Sequence, residues 1–223
     1  MVAVTKEMWR RWLHRVGYVA TVIVLLELLL ILAVSINGLI RDGRIRADWK
    51  EGSRTRSGPL VAPDTRYRPD ELDLLAAVPP LPRGPGVGAR FAVIPYLLGS
   101  WFAIGVSLHP GEVRATGVLV AFDGGGRPRY RATFSLPVAD LEGFLGRLEA
   151  RTNGWPGDGR GCLDGTAMAF ELRTAKGVTS GTGNAACSPH YRQVGALALG
   201  LVSSALPIAD RPVDGTWYPA APR

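Results

Sequence analysis

The chain has 223 residues, of which 47% are hydrophobic, and a formal net charge of +7. This hydrophobic content indicates that the part of the chain outside the apolar stretch folds. The length is sufficient for one membrane helix and one domain with its own core. Residues 1–68 hold 12 Lys or Arg against 6 Asp or Glu, whereas residues 69–223 hold 14 against 13. A nucleic-acid-binding domain carries its basic charge on the folded part, so this distribution argues against nucleic acid as a partner.

One apolar stretch dominates the N-terminal part. The residues from Val16 to Ile36 contain a single charge, Glu27, and are about as many as a bilayer-spanning helix needs. A cleaved signal peptide is the alternative, because Ala33-Val34-Ser35 resembles a cleavage motif, but the stretch is longer than a signal h-region. We predict a short basic segment over 1–15 and a transmembrane helix over 16–38 in the lipid bilayer of the inner membrane.

The basic residues that flank this helix bear on its orientation. Four of them precede the helix and six follow it (Lys6, Arg10, Arg11 and Arg15; Arg41, Arg44, Arg46, Lys50, Arg54 and Arg56). The count alone places the C-terminal side in the cytoplasm, but the first flank usually dominates when a long domain follows. The cysteine pair described below favours an oxidising compartment, so we predict a cytoplasmic N-terminus and a periplasmic C-terminal domain.

Glu27 is an unusual residue for the middle of a membrane helix. A carboxylate at the centre of such a helix costs about 3 kcal/mol on insertion scales. Either a partner offsets this cost, through another membrane helix or a homodimer that meets at Glu27, or a leucine-rich helix tolerates one protonated carboxyl. Both interpretations stay open at this point.

Residues 39–88 are rich in Pro and Arg and predict a flexible linker, with a short helical stretch at 70–78. The uncharged residues 91–108 predict two buried strands, at about 90–97 and 101–108, because they combine Pro95 and several glycines with β-branched and aromatic residues. A second membrane span is the alternative, and it would make the chain a two-span component of a membrane assembly.

The remaining elements follow from turn and cap signals. Strands at 112–122 and 127–135 flank the turn residues 123–126, an amphipathic helix covers 137–151, and strands at 166–173 and 178–181 form a hairpin. Ser188 and Pro189 predict a helix start, with a helix that ends at Pro207. We therefore predict an α+β domain over 89–210, with an antiparallel sheet and two helices on one face in the order β-β-β-β-α-β-β-α, and a tail over 211–223.

The chain has two cysteines, Cys162 and Cys187. A hairpin centred between Ala175 and Lys176 places Cys162 opposite Pro189, two positions from Cys187. A disulfide there would close a loop of about 25 residues and contribute roughly 3 to 4 kcal/mol, and it would require an oxidising compartment. Two buried thiols in a cytoplasmic domain are the alternative, and a zinc site would lack its fourth ligand.

The most distinctive stretch contains the pieces Cys-x-Asp-Gly-Thr, from Cys162, and Gly-Asn…Cys…His-Tyr, which ends at Tyr191. Over roughly residues 155–200 these pieces resemble the C-terminal region of small, uncharacterised bacterial membrane-anchored envelope proteins. The resemblance implies an envelope location and brings no known activity with it.

The residues of this stretch could support two kinds of chemistry. A hydrolase would use His190 as the base, Asp164 to orient it, and Ser180 or Thr182 as the nucleophile. The glycine-rich residues 180–184 could cradle a phosphate, although a Walker lysine is missing. Turn and cap roles explain the same residues more simply, so we expect a non-enzymatic binding or structural module with no cofactor and no metal.

Overall fold

The computed structural model describes residues 6–61, 70–95, 101–160 and 165–205. Among these, the residues up to Ile45 form one compact unit and the residues from Arg46 onwards form another. Asp164, Cys162 and the predicted tail lie outside the described residues, so the predictions made for them stay predictions.

Helix α1 spans Lys6–Ser53 and contains the whole apolar stretch. It continues well past residue 38, so the prediction of a flexible linker from residue 39 is wrong. Exposed glycines such as Gly43 cost a helix only about 1 kcal/mol each, and elongation of a helix that already exists needs no new nucleus. Asp42 also precedes Arg46 by one helical turn, a spacing that favours a helix.

Seven strands form one antiparallel sheet in the order β1-β7-β6-β2-β3-β4-β5. Their bounds are β1 Arg56–Ser57, β2 Val87–Pro95, β3 Trp101–Leu108, β4 Arg114–Phe122, β5 Pro128–Pro137, β6 Thr166–Thr174 and β7 Gly177–Asn184. The three further helices are α2 Asp70–Ala76, α3 Val138–Thr152 and α4 Pro189–Ala205. The α+β class and the predicted order of elements from β2 to α4 are confirmed, and β1 and α2 precede them.

Helices α3 and α4 pack on one face of the sheet, as predicted. Phe91 of β2 meets Phe144 of α3 edge to face, with ring centroids 5.9 Å apart. Strand residues of alternate positions contribute to this core because neighbouring side chains in a strand point to opposite faces. The buried apolar residues that the two helices contribute to this core are Leu141, Phe144, Leu145 and Leu148 of α3, and Tyr191, Val194, Ala198, Leu201 and Val202 of α4.

The opposite face of the sheet, called here the α2 face, carries a second and smaller core. Leu74, Leu75 and Val78 cover small residues of the central strands there, and Leu60 packs beside them. The segment predicted as a linker therefore supplies a strand and part of a core, and the short helical stretch predicted at 70–78 is confirmed as α2. The uncharged residues of 91–108 form two buried strands, so the alternative of a second membrane span there is wrong.

The hairpin of β6 and β7 has the predicted register. Thr174 pairs with Gly177 and Ala167 pairs with Asn184, which centres the hairpin between residues 175 and 176. The backbone N–H of Ala185 extends the ladder by donating to the Thr166 carbonyl at 2.8 Å. Position 162 would face position 189 if this register continued, so the geometry on which the disulfide prediction rests is correct up to residue 166.

Candidate functional site

The end of α1 joins the domain beside the edge of the sheet, where a group of polar residues gathers at the N-terminus of α4. We call this group the junction cluster, and its members are Ser53, Trp155, Asp158, Ser188, His190 and Tyr191. Its members are linked by hydrogen bonds and ring contacts, and it includes His190, the predicted base of a hydrolase.

Tyr191 lies at the centre of the cluster and is fully buried. A Cβ atom placed on Gly183 would overlap the Tyr191 ring, and one placed on Gly181 would come within 2.7 Å of its hydroxyl oxygen. The ring therefore rests on the two glycines of β7, and its hydroxyl donates to the Ser53 carbonyl at 2.7 Å. Burial raises the pKa of the Tyr191 hydroxyl far above its ordinary value.

This packing argues against a phosphate cradle at residues 180–184. These residues are a β-strand that pairs with β6 along its length and with β1 at Thr179 and Ser180. The glycines of the motif provide space for an aromatic ring, so they have a structural use that explains the spacing Gly-x-Gly.

Asp158 connects three parts of the chain. Its carboxylate oxygen Oδ2 accepts a hydrogen bond from the Ser188 hydroxyl at 2.7 Å, and its backbone carbonyl accepts one from the Ser53 hydroxyl at 3.1 Å. Ser188 is the N-cap of α4, because its Oγ accepts the Tyr191 backbone N–H at 3.4 Å. The predicted start of this helix is thereby confirmed.

His190 is buried between aromatic rings. Its imidazole stacks on Trp155 with centroids 4.1 Å apart and planes 4° apart, and it meets Tyr191 edge to face at 5.1 Å. Only 8% of the residue is exposed, and Nε2 has no hydrogen-bond partner among the described residues. Burial lowers the pKa of His190, an effect that Asp158 opposes and Arg151 reinforces.

The structure does not bring the predicted hydrolase residues together. Ser180 pairs with Glu171 and so points to the α2 face, whereas His190 belongs to α4 on the other face. Thr182 shares the face of Ser180 and donates to the Gly52 carbonyl at 3.2 Å. Ser180 and Thr182 are therefore not nucleophiles for His190, and Asp164 lies outside the described residues.

A buried ion pair lies on the α2 face. Arg90 and Glu171 are register partners on β2 and β6, and the guanidinium of Arg90 donates to Oε2 of Glu171 from Nε at 2.8 Å and from a terminal nitrogen. The other carboxylate oxygen accepts the Leu60 backbone N–H at 2.8 Å, and Arg90 also donates to the Leu75 carbonyl. The pair thus ties α2 and the segment before it to the sheet.

Asp123 organises the turn between β4 and β5. Its Oδ1 accepts the backbone N–H groups of Gly125 and Arg127, both at 2.9 Å. These bonds, and above all the one from Arg127, lower the pKa of the Asp123 carboxyl. The turn is therefore a self-contained structural feature.

Helix α1 is long and apolar enough to cross a membrane, by length and composition, and no second helix among the described residues meets the same test. Its most apolar window has a mean hydropathy of 2.9 and none of it is buried within the protein. Glu27 lies inside this window and is exposed. Trp9 and Trp12 are in edge-to-face contact one turn apart, before the apolar stretch.

Comparison with protein-family models, curated proteins and solved structures finds no match to this chain. The function must therefore be inferred from the chain's own residues, and three of the important ones, Ser53, Trp155 and Asp158, carry no sequence motif. The Gly- and Pro-rich sequence around Trp155 could have indicated a close approach of the backbone there. Gly157 does approach the α1 backbone closely. No group of three or more His, Cys, Asp or Glu that could hold a metal occurs within the described ranges.

Proposed function

We propose that the protein is an anchored component of the bacterial envelope, in which the apolar part of α1 spans the inner membrane and the α+β domain binds another protein or an envelope component. The observation that carries the proposal is the exposure of consecutive large apolar side chains on α1. Leu25 to Leu30 include leucines that are 54–67% exposed, whereas the large apolar residues exposed in the described part of the domain are Val61 and Val113. A bilayer is the environment that matches a surface of this kind.

The polar contacts of the domain support a binding module more than an enzyme. The hydrogen bonds of Ser53, Ser188 and Tyr191 in the junction cluster hold the end of α1 and the start of α4, and the ion pair on the α2 face holds elements together. The predicted nucleophiles point away from the predicted base. The domain would accordingly act through its surface.

A pair of C-terminal fusions tests the anchor and its direction. Alkaline phosphatase is active only in the periplasm, and a green fluorescent protein folds poorly there. We expect an active phosphatase fusion and a dark fluorescent fusion, both in the membrane fraction. A bright fluorescent fusion would reverse the proposed orientation, and a soluble chain would contradict the anchor.

The periplasmic assignment goes together with a disulfide between Cys162 and Cys187. The confirmed register of β6 and β7 supports it, and Cys187 is half-buried just beyond that hairpin. Acid-quenched cells treated with a maleimide reagent of about 5 kDa, with and without reduction, would show the pairing. We expect a mobility shift after reduction only, and a shift without reduction would contradict the disulfide.

Glu27 supports a further part of the proposal, association within the membrane. The carboxyl would bond to a basic group of another membrane helix or to its counterpart in a homodimer. Crosslinking of the full chain in membranes should weaken in Glu27→Leu. It should persist in Glu27→Gln if two neutral hydrogen-bonding groups meet, and it should be lost in Glu27→Gln if a cationic partner is required. Unchanged crosslinking in Glu27→Leu would show that Glu27 has no partner.

A further inference from the structure

His190 is a titratable group that the proposed function does not use. It is enclosed by Trp155 and Tyr191, it is nine-tenths buried, and its Nε2 has no partner among the residues described. Two neighbouring buried atoms, Nε1 of Trp155 and Oδ1 of Asp158, also lack partners. A neutral imidazole is tolerated in such a place, whereas an imidazolium would need its charge balanced.

The charged groups around His190 come from each element that packs there. Asp158, in the segment after α3, is the carboxylate that acts on it, and Arg151 of α3 opposes a positive charge. On α4, the guanidinium of Arg192 is engaged with the carbonyls of 185 and 186. The ionisable side chains at and just beyond the end of α1, Lys50, Glu51 and Arg54, are exposed to solvent. Asp158 is therefore the group to which a protonated His190 would turn.

The same residues hold the end of α1 to the domain. Asp158 exchanges hydrogen bonds with Ser53 through its backbone carbonyl and its backbone N–H, each at 3.1 Å. The Trp155 carbonyl accepts the Thr55 backbone N–H at 3.0 Å, and the Tyr191 hydroxyl donates to Ser53. A displacement of residues 155–158 would therefore first break the hydrogen bonds that hold residues 46–57.

We propose that the junction cluster is an acid-sensitive latch, in which protonation of His190 releases residues 46–57 from the domain. A positive imidazole would draw the Asp158 carboxylate away from Ser188. This movement would shift the segment that binds Ser53 and Thr55. At neutral pH the latch is closed.

The direction of the pH response follows from the lowered pKa of His190. Above its ordinary pKa near 6.5 the residue is neutral in both the closed and the released state, so pH has no effect there. Below that value the released state binds the proton more readily, and the closed state is lost progressively down to the lowered pKa. Each pH unit within this window raises the released fraction by up to about tenfold.

Hydrogen exchange of the full chain in detergent micelles tests the latch. Backbone amides of residues 46–57 are compared at pH 7.5 and pH 5.0 after correction for the intrinsic rate. We expect exchange of this segment to accelerate about tenfold or more at pH 5.0, while β2 and β3 remain protected. His190→Phe keeps an aromatic ring for stacking and cannot be protonated, so it should remove the acceleration.

The matched control is His109→Phe, because His109 is an exposed histidine in the turn after β3. This variant should respond to acid as the unmodified chain does. Equal acceleration in His190→Phe and in the unmodified chain would overturn the proposal, as would the absence of any acceleration in the unmodified chain.

A second measurement covers the case in which His190→Phe does not fold. The imidazole of His190 is titrated by NMR in the unmodified chain, with His14→Gln and His109→Phe used to assign the signals of the other two histidines. We expect its midpoint below 6.5 and equal to the midpoint for exchange of residues 46–57. Two different midpoints would overturn the proposal.

Discussion

The contact between Tyr191 and β7 makes Gly183→Ala an informative substitution. The added methyl group would lie 2.6 Å from Cγ of Tyr191 and closer still to two other ring atoms. The ring cannot simply turn away, because its base is fixed by α4 and its hydroxyl is held by Ser53. Real Cβ atoms essentially never approach other atoms closer than 3.0 Å, so either the helix or the strand must shift.

The expected change in the stability of Gly183→Ala follows from two opposing effects. Overpacking of a core costs about 1–3 kcal/mol, and alanine in place of glycine in a strand recovers about 0.5–1 kcal/mol of backbone entropy. We expect a net loss of about 1–2 kcal/mol, equivalent to a fall in the melting temperature of roughly 2–8 °C for a domain of this size. Thermal unfolding of the full chain in detergent, followed by tryptophan fluorescence, measures it.

The control is Gly146→Ala, at an exposed position in α3 where the new methyl group meets nothing within 4 Å. It should stabilise the domain by up to about 1 kcal/mol. If Gly183→Ala is as stable as the unmodified chain while Gly146→Ala behaves as expected, Tyr191 does not rest on β7. As a further check, Gly183→Ala should cost less in a chain that already carries Tyr191→Leu.

Three further predictions concern other contacts. Glu171→Gln should destabilise the domain by about 3 kcal/mol in denaturant titrations, because it leaves Arg90 without its counter-charge. The double variant Glu171→Leu with Arg90→Met should recover most of this loss. If Glu171→Gln is as stable as the unmodified chain, the buried ion pair is contradicted. Gly157→Ala, at a φ of +79° and against the α1 backbone, should raise exchange at residues 46–53 at every pH, unlike an acid-dependent release. An NMR titration should give the Asp123 carboxyl a pKa below its ordinary value of 3.8. Its stabilisation of the turn is therefore present above pH 3.8 and is lost as the pH falls through the lowered pKa. A titration midpoint at the ordinary value would refute the hydrogen bonds from the backbone.

The order of elements in the domain could be predicted because its signals are local. The glycine-rich turn after β4, the apolar spacing of α3, and the cap at Ser188 each depend on a few consecutive residues. The two-residue turn of the last hairpin fixes its register, and the register then extends along both strands. These features survive in any tertiary context that accepts a sheet and helices.

The contacts that could not be predicted join residues far apart in the chain. Arg90 and Glu171 are separated by 81 positions, and Ser53 meets Tyr191 across 138. Residues 52–57 have a linker-like composition, and their contacts are with partners on β7 and α4 that no local pattern reveals. The separation of Ser180 from His190 could not be predicted for a related reason, because only the strand pairing shows that the two residues belong to opposite faces.

The position of β1 has a consequence for how the chain is made. Its partner strand β7 and the tyrosine that secures Ser53 are synthesised more than 120 residues later. At about 5–20 residues per second, that interval is roughly 6 to 30 s. During this time residues 46–57 lack their native neighbours, and the sheet cannot be completed until the last hairpin has been synthesised. The edge of the sheet that β1 covers is therefore the last part of the sheet to form, although β1 is its first strand in the chain.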